Sequence, residues 1–291
     1  MKAVITAAGR EHRHLPLQTV TDARGYPTSL LRVQIQELAA AGVEEVGVVV
    51  NPGDTELFRE SAGDLASRLA FLPQEEPLGF GHAVALAEDF VSRDDFILSV
   101  GDHLFVSADP GRNCFEQVIE ASRGLGGPVS ALQPTRENEI TRFGTVAGER
   151  VEGRSDTIRV ERMIEKPTPT VAEQELFVSG LKAGFYYCFF GIHLLPAAFF
   201  PFLRRAIGAA APGRPANLTD ALSLWIAEHP LHGFAVRGRR FDLEARFGLL
   251  QAQIAMALNS RHRDEVLATV VDLVANSGRG NPAEGMDGEG R

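Results

Sequence analysis

The chain has 291 residues, of which 44% are hydrophobic and 23% charged, and this globular composition suits one large α/β domain or two small ones. The formal net charge of −9, without any basic stripe, argues against nucleic acid as a partner. No apolar run approaches about eighteen residues and the N-terminus has no signal-peptide pattern, so neither a membrane span nor export is expected. Cys114 and Cys188 lack disulfide or metal spacing, which favours a reducing cytoplasm.

Short apolar strands alternate with amphipathic helices in the first half of the chain. The strands are predicted at Lys2–Ala7, Val46–Val50, Leu69–Leu72, Asp95–Val100 and Pro128–Gln133. The helices are predicted at Ser29–Ala41, Asp54–Ala62, Gly81–Val91 and Phe115–Ser122. This alternation, without a linker, predicts a single α/β domain built on a mostly parallel sheet with helices on both faces.

The pattern changes from about Phe143, where strand-like pieces follow one another with little helix between them. These pieces predict an antiparallel addition to the sheet in the second half, and they are Gly144–Val146, Thr157–Ile164 and Lys182–Gly191. Further helices are expected at Pro196–Ile207 and Leu218–Glu228, then a strand at Leu231–Val236 and two helices between Glu244 and Val274. Residues 276–291 consist largely of Gly, Asn, Glu and Asp, so a disordered tail is predicted there.

Ligands of open α/β sheets bind beyond the carboxyl ends of the strands, so the residues that follow each strand are candidates for a site. Gly9 follows the first predicted strand, Gln74 and Gly79 follow the third, and Asp102 follows the fourth. Neither Gly-x-Gly-x-x-Gly nor a P-loop is present, so those two phosphate sites are not predicted. For each residue taken singly, a purely structural role stays open as an alternative to ligand binding. Gly9 then forms a tight turn, and Asp102 acts as a turn former.

Seven segments occur in the order that is typical of the sugar-phosphate nucleotidyltransferase family. They are Ala8–Pro16, Gln74 with Gly79–Ala83, Asp102, Phe143–Val146, Glu165–Pro167, Asn217–Ala221, and Asp242 with Gly248–Ala252. The chain therefore resembles this family from about Lys2 to Leu258, and most closely its bacterial members that use UTP and glucose 1-phosphate. Each segment alone is a weak signal, but seven in order indicate the fold and the family.

The resemblance implies an enzyme that joins a sugar 1-phosphate to a nucleoside triphosphate and releases pyrophosphate. Glucose 1-phosphate and UTP are the expected substrates, and a homo-oligomer is possible. The resemblance also implies one domain over residues 1–275, in which about 1–135 bind the nucleotide and about 136–275 bind the sugar phosphate.

The roles of individual residues carry over by their position in the matching segments. The resemblance implies nucleotide binding by Ala7, Ala8, Gly9, Arg10, Gln74 and Gly79. It implies sugar-phosphate binding by Gly144, Glu165 and Lys166, and a catalytic set of Arg13, Asp102 and Lys166. Mg²⁺, which prefers oxygen ligands and substrate phosphates, would be held by Asp102 and Asp242.

The loop after the first strand departs from the family pattern, because Glu11 replaces a glycine and His12 replaces a threonine. A carboxylate at this place would face the like charge of a triphosphate. No lysine occurs between Lys2 and Lys166, so the lysine that the family brings to the phosphates is missing. Glu244 replaces the glycine that follows the late aspartate of the family.

Two alternatives therefore stay open. One is a non-catalytic relative that binds nucleotide or sugar phosphate as a regulatory subunit. The other is a glycosyltransferase of related fold, although Gly101-Asp102-His103 is not the Asp-x-Asp metal motif expected of one.

Overall fold

The structure, a computed structural model, describes residues 1–9, 13–211 and 213–277. The strands are β1 Lys2–Thr6, β2 Thr19–Thr21, β3 Pro27–Ser29, β4 Glu45–Val50, β5 Leu69–Pro73, β6 Phe96–Val100, β7 His103–Ser107, β8 Val129–Arg136, β9 Gly144–Val151, β10 Arg154–Glu165, β11 Phe185–Leu195, β12 His232–Ala235 and β13 Gly238–Asp242. The α-helices are α1 Leu30–Ala40, α2 Thr55–Ala62, α3 Phe80–Ala85, α4 Glu88–Val91, α5 Cys114–Ser122, α6 Pro169–Glu175, α7 Phe200–Gly208, α8 Leu218–Ile226, α9 Gly248–Leu258 and α10 Arg263–Asn276.

The described residues form one mixed sheet of nine strands in the order β5-β4-β1-β6-β11-β8-β12-β10-β9. The strands β5, β4, β1 and β6 are parallel to one another, and β12 is parallel to β8. β11 is antiparallel to both β6 and β8, and β10 is antiparallel to both β12 and β9. The antiparallel addition in the second half is confirmed. The expected mostly parallel sheet is right only for the first half.

The central strand β11 explains why parallel pairing was overestimated. Its residues are buried from Tyr186 to Leu195, because helices cover the sheet on both sides of this strand. A nearly continuous apolar run is typical of a strand inside a parallel sheet, but burial alone does not specify the direction of a strand. The direction of β11 depends on its neighbours β6 and β8, which the local sequence does not reveal.

Helices cover both faces of the mixed sheet, as predicted. In β1, Ala3 and Ile5 pack into one core with side chains of α1, α2 and α5. Val4 packs into the other core with side chains of α3, α4, α7 and α8. This alternation follows from strand geometry, in which successive side chains point to opposite faces. The carboxyl edge of the sheet is left for the segments that connect strands to helices.

Capping residues explain where several helices begin. The side chain of Ser29 accepts a hydrogen bond at the start of α1, as a preferred N-cap does. Capping boxes begin α5, with Asn113 and Glu116, and α8, with Asn217 and Asp220. These helices therefore lie close to their predicted positions.

The prediction of one helix over Gly81–Val91 is wrong. The chain forms two short helices, α3 and α4, because the Ala87 N–H donates to the Val84 carbonyl three residues back and so tightens the turn between them. The short helix α6 was not predicted either, although Thr168 caps its N-terminus and Pro169 begins it.

A separate two-stranded sheet of β7 and β13 was also not predicted. A third core, which includes Leu104, Phe241 and Leu243, packs this small sheet against α9. Because β7 and β13 lie far apart along the chain, no local pattern indicates that they pair. This small sheet lies beside the candidate site described below.

The last described helix, α10, ends at Asn276, so the predicted disordered tail of residues 276–291 lies almost wholly outside the described residues. Within the described ranges, no helix has both the length and the apolar character needed to cross a membrane. The single domain with two halves, the possible homo-oligomer and the cytoplasmic location stay predictions.

The buried His193 in β11 makes stability depend on pH. Burial lowers the pKa of His193 from 6.5 to about 3, and its Nδ1 lies 2.8 Å from Ser130 Oγ. As the pH falls below 6.5 the unfolded chain takes up a proton that the folded chain excludes, so stability present above pH 6.5 is lost progressively below it. Between pH 7.5 and 5, we expect the unmodified protein to lose about 2 kcal/mol more free energy of unfolding than His193→Asn. Urea denaturation at both pH values measures this difference, and equal losses would contradict it.

Candidate active site

The carboxyl ends of β1, β5 and β6 meet at one edge of the sheet. The Gly101 N–H donates to the Thr6 carbonyl at 3.0 Å, and the Gln74 N–H donates to the Val50 carbonyl at 2.8 Å. The segments that follow these strands therefore converge, and a cavity of about 920 Å³ lies between them. We call it the edge cavity, and its lining includes Thr6, Ala8, Gly9, Gln74, Gly79, Asp102, Pro215, Ala216 and Glu244.

The structure brings most of the predicted nucleotide-binding residues together at this cavity: Ala8, Gly9, Gln74 and Gly79 line it. Ala7 lies buried behind it, with its N–H donating to the Val49 carbonyl at 2.8 Å. Arg10, Glu11 and His12 lie outside the described residues, so the role of Arg10 stays a prediction.

Arg13 is not brought together with the edge cavity. Its Nε lies 2.7 Å from Oδ2 of Asp54, and His14 Nε2 lies 3.2 Å from Oδ1 of the same carboxylate. Asp54 is buried just after β4, and the ion pair orients Arg13 towards it. The predicted catalytic role of Arg13 therefore stays a prediction, and it requires this ion pair to open.

A tight contact beside Gly79 shapes one wall of the edge cavity. Gln74 is buried there, with Nε2 donating to the Gly79 carbonyl at 3.3 Å and lying 2.9 Å from His82 Nδ1. Gly79 has φ of +99°, and a Cβ built on it would lie 2.4 Å from Cβ of Pro215. Only glycine fits this position, because it both adopts the left-handed backbone and allows the close approach.

Asp102 lies in the tight turn between β6 and β7. Gln34 from α1 supports this turn, because its Nε2 donates to the carbonyls of Val100 at 3.0 Å and His103 at 2.7 Å. Asp102 Oδ1 lies 2.6 Å from His103 Nδ1. Burial alone would raise the pKa of Asp102, but the charge and hydrogen bond of His103 oppose it and hold the pKa below its ordinary value. The Asp102 carboxylate is therefore ionised at neutral pH.

The pairing of β13 with β7 brings Asp242 beside this turn. Asp242 is the register partner of His103, and the Leu243 N–H donates to the Asp102 carbonyl at 3.0 Å. The Asp242 side chain is mostly buried, and its Oδ2 accepts a hydrogen bond from Arg142 Nη2 at 2.5 Å. The two predicted metal-binding aspartates thus lie on adjoining backbone segments.

The donors at this turn fit a divalent cation of the Mg²⁺ type. Mg²⁺ is usually held by one or two carboxylates, with substrate phosphates and water completing its shell. Asp102 supplies such a carboxylate at the edge cavity, and the carboxylate of Asp242 already attracts the cationic Arg142. Glu244 also lines the cavity, and its N–H donates to Asp242 Oδ1 at 2.9 Å. No three His, Cys, Asp or Glu side chains of the described residues form a metal site on their own.

The predicted sugar-phosphate residues Gly144 and Glu165 lie at the paired ends of β9 and β10. They are register partners, and a Cβ built on Gly144 would lie 3.0 Å from Glu165 Oε2. Thr219 Oγ1 donates a hydrogen bond to that same oxygen at 2.5 Å. Thr219 was not predicted as a site residue, although the matching segment Asn217–Ala221 contains it and is the signal that points to it.

Lys166 directly follows Glu165, with an exposed side chain and φ of +49°. A left-handed conformation is unusual for a residue other than glycine and is maintained only where the surroundings enforce it, often at a functional site. Here the Lys166 N–H donates to the Phe143 carbonyl at 3.2 Å. The ring of Phe143 in turn lies edge-on to His103, with 6.3 Å between ring centroids. The sugar-phosphate residues therefore connect directly to the turn that carries Asp102.

Comparison with known proteins agrees with this arrangement. The sequence model of the nucleotidyl transferase family matches residues 2–231. The chain belongs to the nucleotidyl transferase family. The resemblance deduced from the seven segments is thereby confirmed.

Similar proteins in this family include uridylyltransferases from bacteria and an archaeon. The UTP–glucose-1-phosphate uridylyltransferase YngB of Bacillus subtilis is 26% identical, over 94% of this chain and 95% of that protein. A putative UTP–glucose-1-phosphate uridylyltransferase of Methanocaldococcus jannaschii is 25% identical, over 87% of this chain and 92% of that protein.

Solved structures confirm the α/β nucleotidyltransferase fold with its mixed sheet. A UTP-bound UGPase from Acinetobacter baumannii is 20% identical with a TM-score of 0.70, over 94% of this chain and 99% of that chain. A UDP-glucose pyrophosphorylase complexed with UDP-glucose is 18% identical with a TM-score of 0.69, over 87% of this chain and 97% of that chain.

Because Gly79 packs closely against Pro215, we predict that a larger residue at position 79 weakens nucleotide binding. Gly79→Ala should weaken UTP binding by about tenfold or more, because the new methyl group displaces a wall of the edge cavity. Gly153→Ala is the matched control, since Gly153 also has a positive φ, +74°, but no atom within 4 Å of a built Cβ. Calorimetric titration of UTP with Mg²⁺ compares the two variants. Equal affinities would show that the wall does not contact the nucleotide.

Proposed function

We propose that the protein joins glucose 1-phosphate to UTP and releases pyrophosphate. The observation that carries this proposal is a continuous series of contacts between the two predicted halves of the site. Asp102 and Asp242 adjoin through the backbone of β7 and β13, and Arg142 links Asp242 to the turn at Phe143 and Gly144. Nucleotide and sugar phosphate bound at these two places would therefore meet beside the carboxylates.

The reaction is an in-line attack by a phosphate oxygen of the sugar phosphate on the α-phosphorus of the nucleotide. The P–O bond to pyrophosphate breaks as the new P–O bond forms, so catalysis depends on positioning and on stabilising negative charge. In the proposal, Gln74 and Gly79 bind the base edge, and the backbone of Ala8 and Gly9 faces the phosphates. Their common position at the edge cavity supports these roles.

The sugar phosphate is assigned to Gly144, Glu165 and Lys166. Lys166 would place a positive charge on the phosphate, and Glu165 would accept hydrogen bonds from sugar hydroxyls. Thr219 orients Glu165 by donating to one of its carboxylate oxygens. Gly144 packs closely against this pair, since a Cβ built on it would lie 2.7 Å from the Phe189 ring and 3.0 Å from both Glu165 Oε2 and Thr219 Oγ1.

Magnesium belongs to the proposal as the cation held by Asp102 together with a carboxylate at the end of β13, for which the resemblance indicates Asp242. When bound, it would neutralise charge on the phosphates. We also place the reaction in the cytoplasm, since Cys114 and Cys188 are free thiols buried in the cores, as is usual in a reducing compartment.

The test is pyrophosphate release from UTP and glucose 1-phosphate, repeated with the other three nucleotides and with other sugar 1-phosphates. Release that is fastest with UTP and glucose 1-phosphate is the expected result. Binding of UTP or glucose 1-phosphate without any turnover would instead identify a regulatory, non-catalytic protein.

Asp102→Asn tests the metal-side carboxylate. The change removes an anionic oxygen ligand beside the phosphates, so turnover should fall by about two orders of magnitude or more. Asp156→Asn, the same change on an exposed side chain of β10, is the control and should leave turnover unchanged. Near-normal turnover of Asp102→Asn with Mg²⁺ would remove Asp102 from the site.

A further inference from the structure

Arg240 is a buried cation at the junction between the two halves of the site. It lies in β13, two residues before Asp242, and only 7% of it is exposed. Its Cζ lies 3.6 Å from the centroid of the Phe143 ring, so the guanidinium stacks on that ring. Side chains two residues apart on a strand project to the same face, which places Arg240 and Asp242 on the side of β13 that faces the turn into β9.

The guanidinium also bonds to two strands of the mixed sheet. Nη1 donates to the Phe189 carbonyl in β11 at 2.7 Å, and Nη2 donates to Thr135 Oγ1 in β8 at 3.2 Å. The backbone N–H of Arg240 donates to Gln133 Oε1 at 2.9 Å. One side chain thus ties β8, β11 and β13 to the turn at Phe143.

Burying the charge of Arg240 costs free energy. We therefore attribute its presence here to the positioning of neighbouring residues and not to stability. Burial lowers the pKa of Arg240 to about 10, so it is still charged at neutral pH. Nη1 and Nη2 donate to neutral oxygens, Cys188, Asp242 and Glu139 stabilise the charge, and the buried Nε has no hydrogen-bond acceptor among the described residues. A buried cation with such partners contributes little net stability compared with an apolar side chain of similar volume.

The stacked Phe143 transmits the position of Arg240 to the sugar-phosphate residues. The Phe143 carbonyl accepts the Lys166 N–H, and Phe143 directly precedes Gly144. A shift of the Phe143 ring would therefore move Gly144 and Lys166 relative to Asp242. The edge-cavity residues Gln74 and Gly79 belong to the segment after β5, and in the described part of the chain neither of them contacts Arg240.

We propose that Arg240 is a positioning residue that holds the turn at Phe143 and Gly144 against the Asp242 end of β13, and so sets the affinity for the sugar phosphate without setting the affinity for UTP. This inference rests on the proposed function for the identity of the two substrates. It predicts that loss of the planar guanidinium weakens binding of the sugar phosphate and leaves the affinity for UTP unchanged.

The experiment compares Arg240→Lys with the unmodified protein. Lysine keeps the positive charge but lacks the flat surface and the fork of donors, so it neither stacks as arginine does nor bridges two acceptors. We expect KM for glucose 1-phosphate to rise by about tenfold or more, while KM for UTP stays within about twofold. Lys166→Ala serves as a positive control for a defect confined to the sugar phosphate.

Arg154→Lys is the matched control for a purely structural arginine. Arg154 also bridges two acceptors, donating to the carbonyls of Ala121 and Arg123 at 2.8 Å each, at the end of α5 away from Phe143. This variant should lower the melting temperature and leave the ratio of the two KM values unchanged. Phe143→Leu removes the stacking contact from the other side and should reproduce the effect of Arg240→Lys. If Arg240→Lys folds poorly, Phe143→Leu tests the proposal in its place.

Equal rises of both KM values in Arg240→Lys, or an unchanged KM for glucose 1-phosphate in Phe143→Leu, would overturn the proposal. If the unmodified protein shows no turnover, the proposed function fails, and calorimetric titration tests the positioning role separately. UDP-glucose should then bind about tenfold more weakly to Arg240→Lys, with UTP affinity unchanged. Unchanged UDP-glucose affinity, or no binding of UDP-glucose to the unmodified protein, would overturn it.

Discussion

The antiparallel pairing of β7 with β13 is the interaction on which the candidate site depends. Asp102 directly precedes β7 and Asp242 ends β13, so the register of this small sheet decides whether the two carboxylates adjoin. A slip of one residue would turn Asp242 to the opposite face. The register is maintained because Leu104 and Phe241 are buried together in the core against α9, and a slip would expose one of them.

Charge is unevenly distributed around this pairing. The edge cavity is lined by the carboxylates of Asp102 and Glu244 and by Arg214, which pairs with Asp220, whereas Arg142, Lys166 and the buried Arg240 surround or contact the turn at Phe143. Such a division suits two phosphate-bearing ligands that bind in different ways. In the proposed function, a metal cation offsets the repulsion between the triphosphate and these carboxylates, while protein cations attract the sugar phosphate directly.

The segment after β1, for which the resemblance implies phosphate binding, departs from the family pattern. The family lysine is missing, and Arg13 forms an ion pair with Asp54 instead of lining the edge cavity. A sequence motif identifies Arg13 by position, but the direction of its side chain depends on a carboxylate that follows a different strand. The position of Thr219 in its motif likewise does not reveal that its side chain donates to Glu165, which lies on β10.

Sequence patterns predicted correctly those elements whose structure depends on a few neighbouring residues. The apolar run of β1, the capped start of α8 and the glycine at position 79 follow from burial, capping and backbone freedom, each of which involves a few neighbouring residues. Sequence patterns did not predict the break between α3 and α4 or the antiparallel direction of β11. A three-residue hydrogen bond interrupts the helix in the first case, and neighbouring strands set the direction in the second.

The sequence by itself therefore determined the α/β class, the family and which of its segments follow the strands, because strand and helix periodicity and the order of motifs are properties of the linear chain. Tertiary structure alone decided that Asp242 adjoins Asp102, that Arg13 turns to Asp54 and that Arg240 joins β13 to Phe143. Each of these contacts links residues that lie far apart in the chain. Their energies depend on how strands pair and cores pack, which no local window of sequence contains.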